Sequence, residues 1–477
     1  MDKKNKFYIT AAIPYVNAQP HIGHALEFVQ VDSIARFYKL LGYETLALSG
    51  GDENALKNVQ AAEKAGIEVQ QFVDKNTQIY LDLAKKLNVD FAAWQKGSDQ
   101  KHHKASQYLW ELCYKTGDIY KKRYTGLYCV GCEAYYTEEE LNDQGECLEH
   151  PGKKLDTVEE ENYFFALSKY EAQLKKLIES DTLEIIPKNR KKEALSWINN
   201  GLKDISISRT NERAKNWGVP VPGDPTQRMY VWFDALNIYQ SGVGFGWDEE
   251  KYSKWWPADV HVIGKGIIRF HAVYWPAFLL SAKLSLPKSL FVHGYFTVNG
   301  QKMSKTLGNV IDPFELIKKY GADPLRYYFL REIPSTSDGD FSERRFKELY
   351  NADLANGLGN LVARVAKLCE TNNITVPVKQ YKRIPTEIDE HLKEFQFEKA
   401  LEFIWVEITT LDHRIEKEKP WNLTGKVLQE VLIFLVDQIN NIAIELQPFL
   451  PETAQKILSQ FKGPTIKTQS ALFPRLT

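Results

Sequence analysis

Cysteine is scarce in this chain, five in 477 residues. Usage that sparse fits a reducing compartment and excludes a disulfide scaffold. An excess of either charge is also missing: Lys plus Arg total 61 against 62 Asp plus Glu, a formal net charge of −1. No global basic surplus marks a nucleic-acid binder, although a neutral chain can carry a basic stripe on one face. Long apolar runs are absent. The stretch around Val431 to Val436 is cut by Asp437, Asn440 and Asn441, short of the ~18 residues a membrane-spanning helix needs. The basic MDKKNK followed by FYITAAIPYV imitates a signal peptide, but Pro14 and Asn17 interrupt it and no small-residue cleavage site follows. A cytoplasmic protein is expected. Internal repeats and low-complexity segments are absent too.

What is present is ordinary globular material, 43% hydrophobic and 26% charged. At roughly 150 residues per domain the length allows about three domains, with core enough to need no staples. The isolated Cys113 and Cys369 read as small buried hydrophobes.

Short apolar runs precede glycine-containing turns: KFYITAAI, TLALSGG, VHVIGKG and SLFVHGYFTV. Each fits a buried parallel strand. The first leads through PYVNAQPHIGH into an amphipathic run, with Leu26, Val29, Ala35, Phe37, Tyr38 and Leu41 apolar, that stops at Gly42. Strand, loop, helix, strand is a βαβ unit, and together the runs predict an α/β fold with a parallel sheet. From about Asp118 to Asp204 cysteines, tyrosines and acidic runs replace this texture, as in an insertion. Beyond about Phe341 helical periodicity dominates, which predicts an all-α C-terminal bundle. The basic clusters Lys101 to Lys104, Lys121 to Arg123 and Lys188 to Lys192 read first as solvated faces, and as phosphate contacts second.

Two short motifs carry chemistry. His21, Ile22, Gly23 and His24 lie between the first strand and its helix, where unpaired backbone N–H groups and the helix dipole favour phosphate and Gly23 allows close approach. The plainer alternative is a histidine cap. Downstream, Lys302, Met303, Ser304, Lys305 and Thr306 follow a strand and a turn at Asn299 and Gly300. Two lysines there can close over a triphosphate, or form a solvated turn. A third pattern is metallic: Cys129 and Cys132 form C-x2-C, and Cys147 with His150 forms C-x2-H. Four such ligands in two knuckles fit one tetrahedral Zn²⁺ with no open position, hence a structural ion.

HIGH and KMSK together resemble the class I aminoacyl-tRNA synthetases. The wider context resembles the methionyl-tRNA synthetases over nearly the whole length, through ITAAIPYVNAQPHIGHALE, GDIYKKRYTGLYCVGCEAYY, YVWFDALNIY, VIGKGIIRFHAVYWPAFL, FVHGYFTVNGQKMSKTLGNVIDP, ADPLRYY, GDFS, LANGLGNLVAR and EKPWNL. The resemblance implies a Rossmann-like catalytic domain with a zinc-binding connective insertion of the single-zinc form, then an all-α anticodon-binding bundle. The expected divisions are 1–117 and 205–300 for the catalytic halves, 118–204 for the insertion, 301–345 for the lysine loop and stem contacts, and 346–477 for the bundle. It implies ligation of methionine to tRNA(Met) with ATP, Mg²⁺ accompanying ATP, and a monomer, since the chain stops at ALFPR without the dimerising module some relatives carry.

Residue roles follow by the same resemblance. His21, Gly23, His24, Gly264, Lys302, Ser304 and Lys305 match the ATP site, with His21, His24, Lys302 and Lys305 acting on the phosphates. Ile13, Tyr15, Trp232, Ala235, Leu236, Tyr239, Ile267, Phe270 and His271 match the methionine pocket, where aromatic rings suit a polarisable thioether and Tyr15 and His271 offer polar contact to the sulfur. Asp52 matches the carboxylate for the substrate ammonium and Arg209 its basic neighbour. Asn360, Arg364 and Trp421 match the anticodon contacts. Six positions depart from the family: Gly51, Asn54 and Ala55 where Thr, His and Gly are usual, Gly266 for Asp, Leu236 for Pro and Thr306 for Ser. The rival readings are another class I synthetase, which would use a zinc thiolate site for its substrate or need a long editing insertion, and a tRNA-binding paralogue without catalysis.

Overall fold

A computed structural model describes residues 5–476 except 130–133, 137, 139–140, 149–151, 153, 304–307, 382 and 384–385. The chain forms two compact units. Met1–Pro20, Glu44–Ala84 and Asp90–His293 make the first; His21–Tyr43, Lys85–Val89 and Gly294–Thr477 make the second.

The strands of the first unit are β1 (Lys6–Thr10), β2 (Glu44–Gly51), β3 (Ala93–Lys96), β4 (Ile119–Cys129), β5 (Ala134–Tyr136), β6 (Asp156–Phe165), β7 (Glu184–Ile186), β8 (Ile205–Ser206), β9 (Ser208–Thr210), β10 (Pro220–Val221), β11 (Asp224–Met229), β12 (Val260–Gly264) and β13 (Ser289–His293). Six form one parallel sheet in the order β3-β2-β1-β12-β13-β7. Their apolar runs are nearly continuous because both faces are covered. Every residue of β13 is buried, as are four of five in β1. From β1 the chain proceeds outward to β2 and β3, and from β12 to β13 on the other side. The β1/β12 boundary is therefore the topological switch point, and ligands of such sheets bind beyond the carboxyl ends of the strands there. A second, four-stranded sheet has the order β5-β4-β6-β8. It is built on the long antiparallel β4/β6 pair, from Ile119 opposite Phe165 to Tyr128 opposite Asp156. A three-stranded sheet, β10-β11-β9, completes the unit.

The second unit holds helix α1 (Ile22–Leu40) and a small sheet of β14 (Phe296–Val298), β15 (Gln301–Lys302) and β16 (Gly339–Phe341). The run SLFVHGYFTV therefore makes two strands rather than one. It breaks at Gly294, where a Cβ would sit 2.1 Å from Ser337 O. The remainder is helical. In the helix Phe397–Glu418 the buried residues Ala400, Leu401, Ile404, Ile408, Leu411 and Ile415 recur at the spacing of one helix face. α1 is tied to this body by a buried ion pair, Arg326 Nη1 to Asp32 Oδ2 at 2.8 Å. Arg326 also donates to Phe449 O, Pro448 O and Leu87 O.

The helix Gly425–Leu446 has the length and hydropathy to cross a membrane, yet half of its most apolar window is buried in the fold. Its Asp437 accepts from Lys379 and Tyr381, and Asn440 donates to Val436 O and Phe461 O. Those contacts are what a bundle helix makes. Cys113 and Cys369 are buried, and burial pushes each thiol up to about 12.

Candidate active site

Beyond the carboxyl ends of β1 and β12, the first unit gathers most of the expected pocket residues. After β1 the chain turns at Ile13 to Tyr15. Asp52 N donates to Pro14 O at 2.9 Å, and Tyr15 pairs with Asp52 in a parallel bridge, so the tip of β2 is locked beside it. Lys57 Nζ lies 3.2 Å from the centroid of the Tyr15 ring. After β12, Gly264 leads into a short 3-10 turn, Lys265–Ile267, and then a π-helical turn, Phe270–Tyr274. Such π turns recur at functional sites because they re-aim side chains. Here the turn stacks Phe270 on Trp232, centroids 3.7 Å apart and planes within 4°. Tyr15 meets Trp232 edge-on at 6.3 Å, and so does His271. Trp232, Ala235 and Leu236 come from the helix Val231–Ala235 and its C-cap, and all three are buried.

Beneath this aromatic wall is a polar relay. His271 Nδ1 is 2.9 Å from Ile267 O, and its Nε2 is 2.8 Å from Tyr239 Oη. A carbonyl only accepts, so Nδ1 carries the proton and Nε2 takes one from the tyrosine hydroxyl. Both ring nitrogens of His271 are engaged within the fold. Burial lowers its pKa to about 4. His261 stacks on Tyr239 at 4.2 Å and sits 2.7 Å from Thr10 Oγ1. Burial, and then the neighbouring His271, hold it well below the usual imidazole range. His261 was not singled out in the sequence, because one histidine in an apolar strand looks like any other core residue.

Depressed pKa values of buried bases have a definite sign. The unfolded imidazole takes a proton near pH 6.5 and the folded His271 only near 4. Stability from its neutral burial is full above pH 6.5 and is lost as pH falls toward 4. Between pH 7 and pH 5 the loss from this group is about 2 kcal/mol. Urea midpoints at the two pH values check it: wild type weakens on acidification and a His271→Gln variant weakens less. Equal dependence in the two proteins would contradict it.

Arg209, on β9, is buried and donates through Nη1 to Ser206 O, Ser206 Oγ and Ser208 O. Its guanidinium lies over Tyr230 at 4.6 Å and Tyr128 at 5.2 Å. Asp52 is 4% exposed. The departure at Asn54 is answered locally: the carboxamide donates to Asp234 Oδ2 and Gly97 O.

Of the metal set, Cys129 and Cys147 are buried with sulfurs 3.3 Å apart. That is too long for a disulfide, near 2.05 Å. Cys132 and His150 lie outside the described residues. Among the described residues no group of three His, Cys, Asp or Glu side chains that could hold a metal is present.

In the second unit, His21 caps α1. His21 Nδ1 accepts from Gly23 N at 3.1 Å, and His24 Nδ1 accepts from His21 N at 3.1 Å, a reciprocal capping box made by two imidazoles. The other first-turn amides are also used: Ile22 N donates to Ile311 O, and His24 N and Ala25 N to His21 O. The expected bare helix amides are therefore occupied. Because both Nδ1 atoms accept, both Nε2 atoms carry hydrogen when the rings are neutral. The rings are 4.0 Å apart and half-buried. A Cβ on Gly23 would lie 2.9 Å from His21 Cε1, so glycine is required for this arrangement. Lys302 ends β15, opposite Thr297 of β14. Ser304 and Lys305 lie outside the described residues, as does Thr306.

Asn360, exposed, opens the helix Asn360–Thr371. Arg364, one turn on, donates to Glu416 at 2.5 Å, and its guanidinium is 6.0 Å from the Trp421 ring. Trp421 is 50% exposed. A core role for it is excluded.

The family described as tRNA synthetases class I (M) matches residues 7–366. A methionine–tRNA ligase of Brucella melitensis is 41% identical over 98% of this chain and 94% of its own. One from Thermotoga maritima is 41% identical over 95% of this chain and 74% of its own. Among solved structures, Mycobacterium tuberculosis methionyl-tRNA synthetase bound by methionyl-adenylate superposes with a TM-score of 0.92 at 35% identity. That match covers 98% of this chain and 100% of that one.

Proposed function

The chain belongs to the class I methionyl-tRNA synthetases, and we infer from that premise how its own residues carry out the reaction. The enzyme activates methionine with ATP and charges tRNA with it. A methionine carboxylate oxygen attacks the α-phosphorus of ATP. The bond to the bridging oxygen of the β-phosphate breaks, leaving methionyl-adenylate and pyrophosphate. A ribose hydroxyl at the tRNA 3′ end then attacks the methionyl carbonyl carbon, and AMP leaves.

Little covalent chemistry falls to the protein, so its work is placement and charge stabilisation. In the first unit, Ile13, Tyr15, Trp232, Ala235, Leu236, Tyr239, Ile267, Phe270 and His271 receive the thioether side chain, and Asp52 with Arg209 receives the α-amino group. Gly264, at the end of β12, gives the adenosine room. In the second unit, His21 and His24 present Nε2–H donors to the phosphates over Gly23, and Lys302, Ser304 and Lys305 act on the pyrophosphate end. Asn360, Arg364 and Trp421 read the anticodon of tRNA(Met). The observation that carries the methionine assignment is the stacked Trp232–Phe270 wall at the switch point, edged by Tyr15 and backed by His271. It is a soft, polarisable aromatic surface, and its Tyr15 is paired with the buried Asp52. Methionine-dependent exchange of pyrophosphate into ATP, followed by charging of tRNA(Met), tests the reading.

The finer divisions are proposed as read in the sequence: catalytic halves 1–117 and 205–300, insertion 118–204, lysine-loop region 301–345 and bundle 346–477. Cytoplasmic location, a monomeric state and Mg²⁺ bound with ATP belong to the same proposal. The insertion holds one structural Zn²⁺ through Cys129, Cys132, Cys147 and His150, which supplies local folding energy and takes no part in the reaction. The buried pair Cys129 and Cys147 supports this. Metal analysis of the purified chain should give one zinc equivalent, and Cys147→Ser should abolish it. Zero or two equivalents in wild type would contradict the assignment.

A further inference from the structure

A line of buried polar contacts runs through the first unit beside the methionine pocket. Asn54 Nδ2 donates to Asp234 Oδ2 at 2.6 Å and to Gly97 O at 2.8 Å. His102 Nε2 lies 3.5 Å from the same Asp234 oxygen, and His102 Nδ1 is 2.8 Å from Ser241 Oγ. Asn54 is 9% exposed, Asp234 2% and His102 0%. A carboxylate is buried at large cost unless it is hydrogen-bonded or paired, so the short contact from the Asn54 carboxamide is a condition of Asp234 lying there.

The partners' positions give the contact its meaning. Asn54 stands two residues after Asp52, at the tip of β2. Backbone bonds pin the same segment: Asp52 N to Pro14 O and Gly97 N to Gly51 O, both 2.9 Å. Trp217 Nε1 adds a bond to Glu53 O at 2.7 Å. Asp234 stands two residues after Trp232 and next to Ala235, in the helix Val231–Ala235. One side-chain bond, spanning 180 residues of sequence, thus joins the segment bearing Asp52 to the helix bearing Trp232.

We propose that Asn54 is a positioning residue for methionine: through Asp234 it sets the spacing of Asp52 from Trp232, and so the affinity for the amino acid. The proposal rests on the methionine reading of the pocket. It also says what the family's histidine position does in this chain. The planar carboxamide serves two acceptors on different segments with one NH₂ group, whereas an imidazole nitrogen carries a single hydrogen.

The test uses the full chain and methionine-dependent pyrophosphate exchange, with KM measured separately for methionine and ATP. Asn54→Ala and Asp234→Ala are each expected to raise the methionine KM at least tenfold and leave the ATP KM within twofold. The double variant should be no worse than the worse single, because both remove the same link. Asp234→Asn keeps an acceptor for Asn54 and should stay within threefold of wild type. If Asn54→Ala does not fold, Asn54→Ser, too short to span to Asp234, replaces it. A folded Asn54 variant with wild-type methionine KM, an equal rise in the ATP KM, additive effects in the double variant, or failure of both substitutions to fold would each overturn the proposal. Absence of methionine-dependent exchange in wild type would instead overturn the methionine reading itself.

Discussion

His24→Ala should slow methionine-dependent pyrophosphate exchange by a factor of about 10² to 10³, the usual effect of removing one preorganised donor from a developing charge. The structure makes the reason specific. His24 Nδ1 is consumed by His21 N and His21 Nδ1 by Gly23 N, so each neutral ring can donate only through its Nε2–H. The backbone amides of the first turn of α1 are already spent on His21 and Ile311, so they cannot substitute. Loss of the cap itself costs the helix only about 1 kcal/mol, and a thermal melt separates that from the kinetic loss. The methionine KM should hold while kcat falls, since the pocket residues belong to the other unit. Exchange within threefold of wild type would remove His24 from the phosphate chemistry.

Trp421→Ala should do the opposite: leave exchange near wild type and lower the charging of limiting tRNA(Met) by roughly five- to 150-fold, the equivalent of ~1–3 kcal/mol for one stacked base. An exposed indole is the physical basis. At 50% exposure it contributes little packing, so the melt should barely move. The Arg364 guanidinium near its ring is held by Glu416, with Asp412 at 3.6 Å. The stacking face is therefore braced before tRNA arrives, and unpaired bases can be splayed onto it. If exchange and charging fall together, or if charging is unchanged, Trp421 does not read the anticodon.

Some of this was legible in the residues. KFYITAAI, TLALSGG and VHVIGKG became β1, β2 and β12 because strands covered on both faces are written as unbroken apolar runs. The aromatic positions of the pocket were found by resemblance, since alone they look like core. Other features had no signal in a linear reading. Asn54 and Asp234 meet across 180 residues, and no local pattern announces such a pair. The strand break at Gly294 depends on a distant segment, Ser337, filling the space of a side chain. The π turn at Phe270–Tyr274 has ordinary helical composition. In the sequence a histidine cap of α1 is only the plain alternative to a phosphate site. The structure shows the cap, which fixes the ring nitrogen that carries hydrogen in each neutral imidazole.

The most direct measurement is exchange of labelled pyrophosphate into ATP by the purified chain, with each of the twenty amino acids supplied singly and no tRNA present. The account predicts saturable exchange with methionine and only background with leucine, isoleucine, valine and cysteine. The same preparation should then charge tRNA(Met). Exchange driven by another of these amino acids, or a folded chain that binds tRNA(Met) without supporting exchange, would contradict it.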